Sequence, residues 1–152
     1  MPVVIIPKLG LVIQTLKTSF STVIPTIDIY LGEPVTSDVP NDFVMLGSDG
    51  DPDSDSTADF THVWEDMAHT RMREDGEVPC ALVSQTGDND VSGTLTTAFA
   101  TLQACVNALG NDPTLGGIVM DIQVSAGSSR QIQNDQGTAF VVPFTVTYWA
   151  IV

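Results

Sequence analysis

The clearest strand pattern in the chain is Phe-Val-Val-Pro-Phe-Thr-Val-Thr-Tyr-Trp, residues 140–149. Apolar side chains hold every even position from Phe140 to Tyr148, whereas Thr, Val and Pro dominate the odd ones. Because successive side chains of a strand point to opposite faces, this alternation predicts a long strand with one buried face. Pro143 has no N–H to donate to a ladder, so we expect it on an edge or at a bulge.

The same period of two occurs upstream, from Ile118 to Ala126. The polar segment Asn134–Gly137 lies between the two patterns and is typical of a turn. Together they predict a long C-terminal β-hairpin.

Two other segments have the period of a helix. The first follows Pro7 and ends before Pro25, and the second, over residues 92–109, ends at Gly110, which we expect to supply a left-handed stop. Their apolar stripes consist of Leu9, Val12, Ile13, Leu16 and Phe20, and of Leu95, Phe99, Leu102, Val106 and Leu109. We expect both stripes to pack against the core.

Shorter patterns complete the predicted sheet. Residues 26–31 alternate as a half-buried strand does, and Phe43–Leu46 is apolar on both faces, as in a buried strand. Residues 60–67 and 78–84 predict an antiparallel pair around a turn at 70–76 that contains Asp75-Gly76. The order of elements predicts an α+β fold: a mostly antiparallel sheet with two amphipathic helices on one face.

Chain length and net charge limit the number of domains and the kinds of binding partner that we expect. A chain of 152 residues is the usual size of one domain, so we expect a single domain over residues 1–152. Five basic residues against 19 acidic ones give a net charge of −14, which argues against tight binding to nucleic acid or to an anionic membrane surface. Residues 1–7 lack the basic start of a signal peptide, and no apolar run is long enough to cross a bilayer, so we expect a soluble protein made in a cytoplasm.

Residues 48–59 form an acidic segment that we expect to be an exposed loop. Its alternating carboxylates suggest weak calcium binding as an alternative, and the candidate ligands are Asp49, Asp51, Asp53 and Asp55. A helix-loop-helix calcium site needs Gly at its sixth position and Glu at its twelfth, but from Asp49 these positions hold Ser54 and Phe60. A solvated loop is the better interpretation.

Other chemical motifs are weak. His62, Glu65, Asp66 and His69 would share one face of a helix but scatter in a strand, so we expect no metal site there. Cys80 and Cys105 lack the spacing of a zinc or redox pair and are expected to be buried free thiols. No nucleophile elbow, phosphate loop or dinucleotide fingerprint is present, so we expect no enzyme and no cofactor.

Several segments, taken in order, resemble the tail-terminator proteins of long-tailed bacteriophages, especially those of actinobacteria. They are Phe43–Gly47, Asp49–Pro52, Pro79–Ser84, Gly87–Asp90, Asn111–Gly117, Gln131-x-Gln133 and Gly137. The resemblance implies a virion protein that caps the tail tube as a hexameric ring, fixes tail length and joins the tail to the head connector. Its partners would be its own copies, the tail tube protein and the head-completion protein, with DNA passing through without specific binding.

For that role, Arg71, Arg73 and Arg130 are the candidates for pairing with carboxylates of a neighbouring subunit. The loops at 48–59, 69–76 and 86–90 are candidates for contacting partners. Two alternatives stay open: another ring protein of the phage neck or tail tube, and a calcium-dependent binding module that uses Asp49–Asp55.

Overall fold

The computed structural model describes residues 6–32, 41–48, 58–69, 71–86, 91–125, 130–134 and 137–152, without the side chains of residues 130 and 132–134. Within these ranges the elements are, in chain order, α1 (Leu9–Val23), β1 (Asp28–Leu31), β2 (Asp42–Leu46), β3 (Asp59–Trp64), β4 (Met72–Thr86), α2 (Val91–Asn111), β5 (Asp121–Ser125), β6 (Arg130–Asn134) and β7 (Gly137–Ile151).

Two 15-residue strands, β4 and β7, form the centre of a seven-stranded sheet. They pair antiparallel from Arg73 opposite Ile151 to Thr86 opposite Thr138. Two shorter strands border each of them on its outer side: β3 and β2 border β4, and β5 and β6 border β7. β1 pairs parallel with β2. One end of the sheet therefore has the order β3–β4–β7–β5, and the other has the order β1–β2–β4–β7–β6.

Two prolines occupy the breaks between the bordering strands. Pro79 follows the part of β4 that pairs with β3 and precedes the part that pairs with β2. Pro143 lies between the β7 residues that pair with β6, which end at Val141, and those that pair with β5, which begin at Thr145. Pro143 is therefore inside a central strand, and neither of the expected positions, an edge or a bulge in the ladder with β4, is correct. An interruption of the outer ladder tolerates its missing N–H.

Both helices pack on one face of the sheet, as predicted for this α+β fold. Their contacts with the strands enclose the main core, whose largest fully buried side chains include Phe20, Leu16, Leu46 and Leu82. The even-numbered side chains of β7, from Phe140 to Ala150, point into this core. The second face of the sheet carries a smaller buried cluster, made of Phe43, Met45, Ala81, Val83 and Val141.

β3 and β4 pair antiparallel, but the predicted partner of residues 60–67 was wrong: β3 pairs with Met72–Glu77, whereas residues 80–84 pair with β2, and the turn lies elsewhere. The chain reverses between Glu65 and Arg71, where the Glu65 N–H donates to the Arg71 carbonyl at 2.9 Å. Asp75 and Gly76 lie inside β4, opposite Trp149 and Tyr148. The sequence misled here because Asp-Gly is typical of turns, whereas Gly76 is needed for a packing reason described below.

The C-terminal hairpin also differs from the prediction. Residues 113–120 form turns, so β5 begins only at Asp121, and the arm opposite β7 is divided into β5 and β6. Gly110 lies within α2 and does not have positive φ, whereas Leu115, Gly116 and Gly117 do. α2 therefore ends at Asn111 without the expected left-handed glycine, and the left-handed residues lie in the turns that follow.

Other predicted segments are partly outside the described residues. Of the acidic segment 48–59, residues 49–57 are not described, Ser48 is buried and Asp59 begins β3. Residues 87–90 of the predicted loop 86–90 are also outside the description. In β1, Ile29 is buried as predicted, but Leu31 is exposed because β1 is a border strand.

Candidate assembly surfaces

A buried carboxylate connects the start of α1 to the β3–β4 hairpin. Glu74 of β4 is fully buried, and both of its oxygens lie 3.0 Å from the backbone nitrogen of Lys8, the residue before α1. The His62 ring nitrogen Nε2 is 2.7 Å from Oε1, and the Tyr148 hydroxyl donates to Oε2 at 2.6 Å. A buried carboxylate is stable only when donors surround it, and this one also sits at the positive end of a helix dipole.

Gly76 makes room for the Tyr148 ring. The two residues are opposite each other on β4 and β7, and a Cβ at position 76 would overlap the ring atoms of Tyr148. Burial, together with the hydrogen bond and the charge of Glu74, raises the pKa of Tyr148 above its usual value. The hydroxyl therefore remains protonated and stays a donor to Glu74.

β3 is a border strand with exposed apolar side chains. Phe60, Val63 and Trp64 are all exposed, Val63 at 55%, and Met67 in the turn that follows is 100% exposed. Within the described residues, β3 pairs with β4 alone. An edge with unpaired backbone groups and apolar side chains favours association with another strand. We call residues Phe60–Trp64 the β3 edge.

A second apolar surface lies on α2. The predicted stripe is largely outside the core: Leu95, Phe99 and Val106 are 38%, 44% and 36% exposed. The residues that α2 buries are smaller, apart from the last: Thr94, Ala98, Thr101, Cys105 and Leu109. At 100° per residue, the exposed set lies about a quarter turn from the buried set. The expectation that this stripe packs in the core is therefore wrong for three of its five members. We call Leu95, Phe99 and Val106 the α2 stripe.

Charge is distributed unevenly between the two faces. Lys17 is the one charged residue of α1, and α2 has none. At the β3–β5 end of the sheet, by contrast, strand alternation places four carboxylates on the second face, which are those of Asp59, Asp75, Glu77 and Asp121. The chain has a net charge of −14, so copies of it repel one another over most of their surface. The surface formed by α1 and α2 lacks carboxylates, and two copies can contact each other there without electrostatic repulsion between acidic side chains.

The candidate arginines have partners within the chain. Arg71 Nη2 lies 3.6 Å from Glu65 Oε2, and Arg73 Nη2 lies 2.9 Å from Asp75 Oδ1. The Arg73 guanidinium also stacks 4.5 Å from the ring centroid of Trp149. Exposed pairs of this kind are weak and can exchange partners, so a role between subunits remains a prediction. The side chain of Arg130 is not among those that the structure describes.

The described residues do not bring metal ligands together. His62 lies in β3 and contacts Glu74, whereas His69 lies in the turn, 5.1 Å from the Trp64 ring. Across the parts of the chain that the structure describes, no group of three His, Cys, Asp or Glu side chains could hold a metal ion. The acidic candidates Asp49, Asp51, Asp53 and Asp55 fall in residues 49–57 and are not described.

Cys80 and Cys105 are buried free thiols, as predicted. Burial raises the pKa of each thiol to about 12. At neutral pH they therefore remain protonated and poorly reactive. Among the described residues, neither helix is both long and apolar enough to cross a membrane.

No protein-family model matches the sequence, and no curated protein does. Among solved structures, the fold is similar to that of a chain in the virion of a native gene transfer agent particle, with a TM-score of 0.44 and 12% sequence identity. The similarity covers 90% of both chains. A likeness of this size does not establish a shared function.

Proposed function

We propose that this chain is a structural, non-enzymatic protein of a tailed-phage virion. Specifically, it caps the tail tube as a hexameric ring and joins the tail to the head connector, which is the role of a tail terminator. The observation that carries the proposal is the presence of two separate apolar surfaces, the β3 edge and the α2 stripe. Each subunit of a ring contacts a neighbour on either side and the tube below, so it needs more than one contact surface, and two separate apolar surfaces can serve different contacts.

The sequence resemblance and the charge support the same role. Two of the resembling segments form buried strands of the sheet, Phe43–Leu46 in β2 and Pro79–Ser84 in β4. Six copies at −14 each carry a net charge of about −84, which disfavours binding of DNA that passes through the ring. The tail tube protein and the head-completion protein would be the partners above and below.

Negative-stain microscopy of purified protein mixed with tail tubes that lack a terminator tests this function. We expect an annulus at one end of each tube. Phe99→Gln with Val106→Gln should reduce capping, and Gln103→Ala, an exposed polar change on the same helix, should not. Tubes that stay uncapped at saturating protein would contradict the proposal.

The same mixture separates the alternatives. Copolymerisation along the whole tube would indicate a tail-tube protein, and binding to isolated connectors without tubes would indicate another neck protein. Heat on titration with calcium, abolished by Asp51→Asn with Asp53→Asn, would indicate the binding module. Each of these results would overturn the terminator role.

A further inference from the structure

Two strands at the same end of the sheet have one unpaired side within the described residues. β3 pairs with β4 alone, and β5 pairs with β7 alone. Unpaired N–H and C=O groups along an edge can accept a strand from another chain. We propose that the β3 edge of one copy pairs with β5 of the next copy, so that one sheet continues from subunit to subunit. This inference rests on the ring of the proposed function and names the contact made by the β3 edge, whereas the α2 stripe contributes a second, separate contact.

Strand direction permits this pairing. At this end the order is β3–β4–β7–β5, and each neighbouring pair is antiparallel. With four strands, β3 and β5 run in opposite directions. Copies related by rotation therefore bring β3 beside β5 in the antiparallel sense, and this geometry repeats at every contact of a head-to-tail ring. Thr61 and Asp121 share a row within one subunit, so a register shifted by two residues at each contact requires the strands to tilt from the ring axis, as they do in barrels.

Side-chain chemistry selects the register. Complete overlap places Asp121–Ser125 opposite Asp59–Val63, with Phe60 opposite Val124 on the helix-facing side. Phe60 is exposed in the single chain and Val124 is half-buried, so the contact would cover both. Val63 lies opposite Asp121 in this register, and no two carboxylates oppose each other.

A two-fold contact of β3 with itself is less favourable. A pair centred on Thr61 would place the two Thr61 side chains opposite each other, and a pair centred on His62 would place Asp59 opposite Glu65 twice. Like charges directly opposite each other destabilise a sheet. The contact would also leave β5 open and would stop at a dimer.

Cross-linking tests the pairing at a position where only neighbouring copies can react. Thr61 and Gln123 are both exposed and lie opposite each other in the proposed register. Within one subunit, β3 and β5 are three strand spacings apart, about 14 Å, and disulfides require Cα atoms within about 7 Å. A disulfide in Thr61→Cys/Gln123→Cys must therefore join two copies, and the buried native thiols do not compete.

We expect mild oxidation of assembled rings of this double variant to give a ladder of bands up to the hexamer on a non-reducing gel. Both single variants and the control Thr61→Cys/Gln103→Cys should remain monomeric. A second pair, Asp59→Cys/Ser125→Cys, provides the same test if the first variant does not fold.

The outcomes distinguish the pairing from the ring itself. Rings visible by microscopy without a ladder in either double variant would overturn the pairing and leave the proposed function intact. Dimers of the single variant Thr61→Cys would show the two-fold contact and overturn the pairing. If the wild-type protein forms no rings on tail tubes, the proposed function and the pairing both fail.

Discussion

α1 buries its apolar stripe in the core, whereas α2 leaves most of its stripe exposed to solvent. In α1 the large side chains Val12, Leu16 and Phe20 are completely buried. In α2 the buried face is made mainly of small residues, and Leu95 and Phe99 are exposed. The comparison teaches that helical periodicity identifies a stripe that needs a partner, but does not say whether the partner is the protein's own core or another chain.

The packing explains the difference. Small side chains such as Ala98 and Cys105 let α2 approach the central strands closely, where the large side chains of the sheet already fill the core. A Phe or Leu at those positions would push α2 away from the sheet. The larger residues of α2 are therefore available for contacts outside the chain.

The largest effect should come from α1. Leu16→Ala leaves a cavity at a completely buried position, so we expect a loss of about 2–5 kcal/mol in the free energy of unfolding. Leu95→Ala, the same change at an exposed position of α2, should cost less than about 1 kcal/mol. Urea titrations of both variants give the two values. An equal loss of unfolding free energy in the two variants would mean that Leu95 is buried as completely as Leu16.

Alkaline pH should weaken the buried side of α2. Unfolded thiols ionise above their usual pKa of 9.0, whereas Cys80 and Cys105 in the folded protein stay protonated up to a pKa of about 12. Between these values the unfolded state binds fewer protons, so the free energy of unfolding falls by up to about 1.4 kcal/mol per pH unit for each thiol. We therefore expect the free energy of unfolding of Cys105→Ala to fall less steeply between pH 9.5 and 11 than that of the wild type, as measured by urea unfolding. The slope that remains in the variant includes the contribution of Cys80. An unchanged slope would contradict the burial of Cys105.

Enlarging the buried face of α2 should have a smaller effect. Ala98→Leu adds volume at a position without free space, and we expect a loss of about 1–3 kcal/mol. Ala100→Leu, on an exposed position of the same helix, should change stability by about 0.5 kcal/mol or less. Thermal unfolding compares the two, and a stable Ala98→Leu variant would show that α2 is not closely packed.

The smallest effect on stability should come from the α2 stripe itself. Phe99→Gln should alter the free energy of unfolding by less than about 1 kcal/mol because the ring is already partly in solvent. The same variant should lose most of its ring formation, measured by mass photometry at matched concentrations. A variant that assembles normally would remove the stripe from the contact surface.

The sequence predicted those parts of the fold that depend on local pattern. β7 and α1 follow from their periods of 2 and 3.6, and the buried β2 follows from its continuous apolar run. The position of the β3–β4 turn was missed because Asp75-Gly76 is typical of a turn, whereas both residues lie inside β4, next to the buried Glu74. Its partner Lys8 is 66 residues away, so no local pattern could have revealed the contact.

The candidate surfaces were harder to predict. That β3 lies at a border of the sheet follows from the order of the strands, which no local pattern reveals. That Leu95 and Phe99 face outward depends on how closely α2 approaches the sheet, which is a tertiary property. β6 was missed because its residues, Arg-Gln-Ile-Gln-Asn, are too polar to resemble a half-buried strand.

The two prolines of the central strands have a consequence for folding. If β7 slid by two residues along its bordering strands, Pro143 would fall within the ladder of β5 or β6 and one hydrogen bond would be lost. Pro79 penalises the same error for β4 against β2 or β3. The two prolines therefore help to fix the register of the longest strands, so that β3 and β5 occupy the same positions along the sheet in every copy.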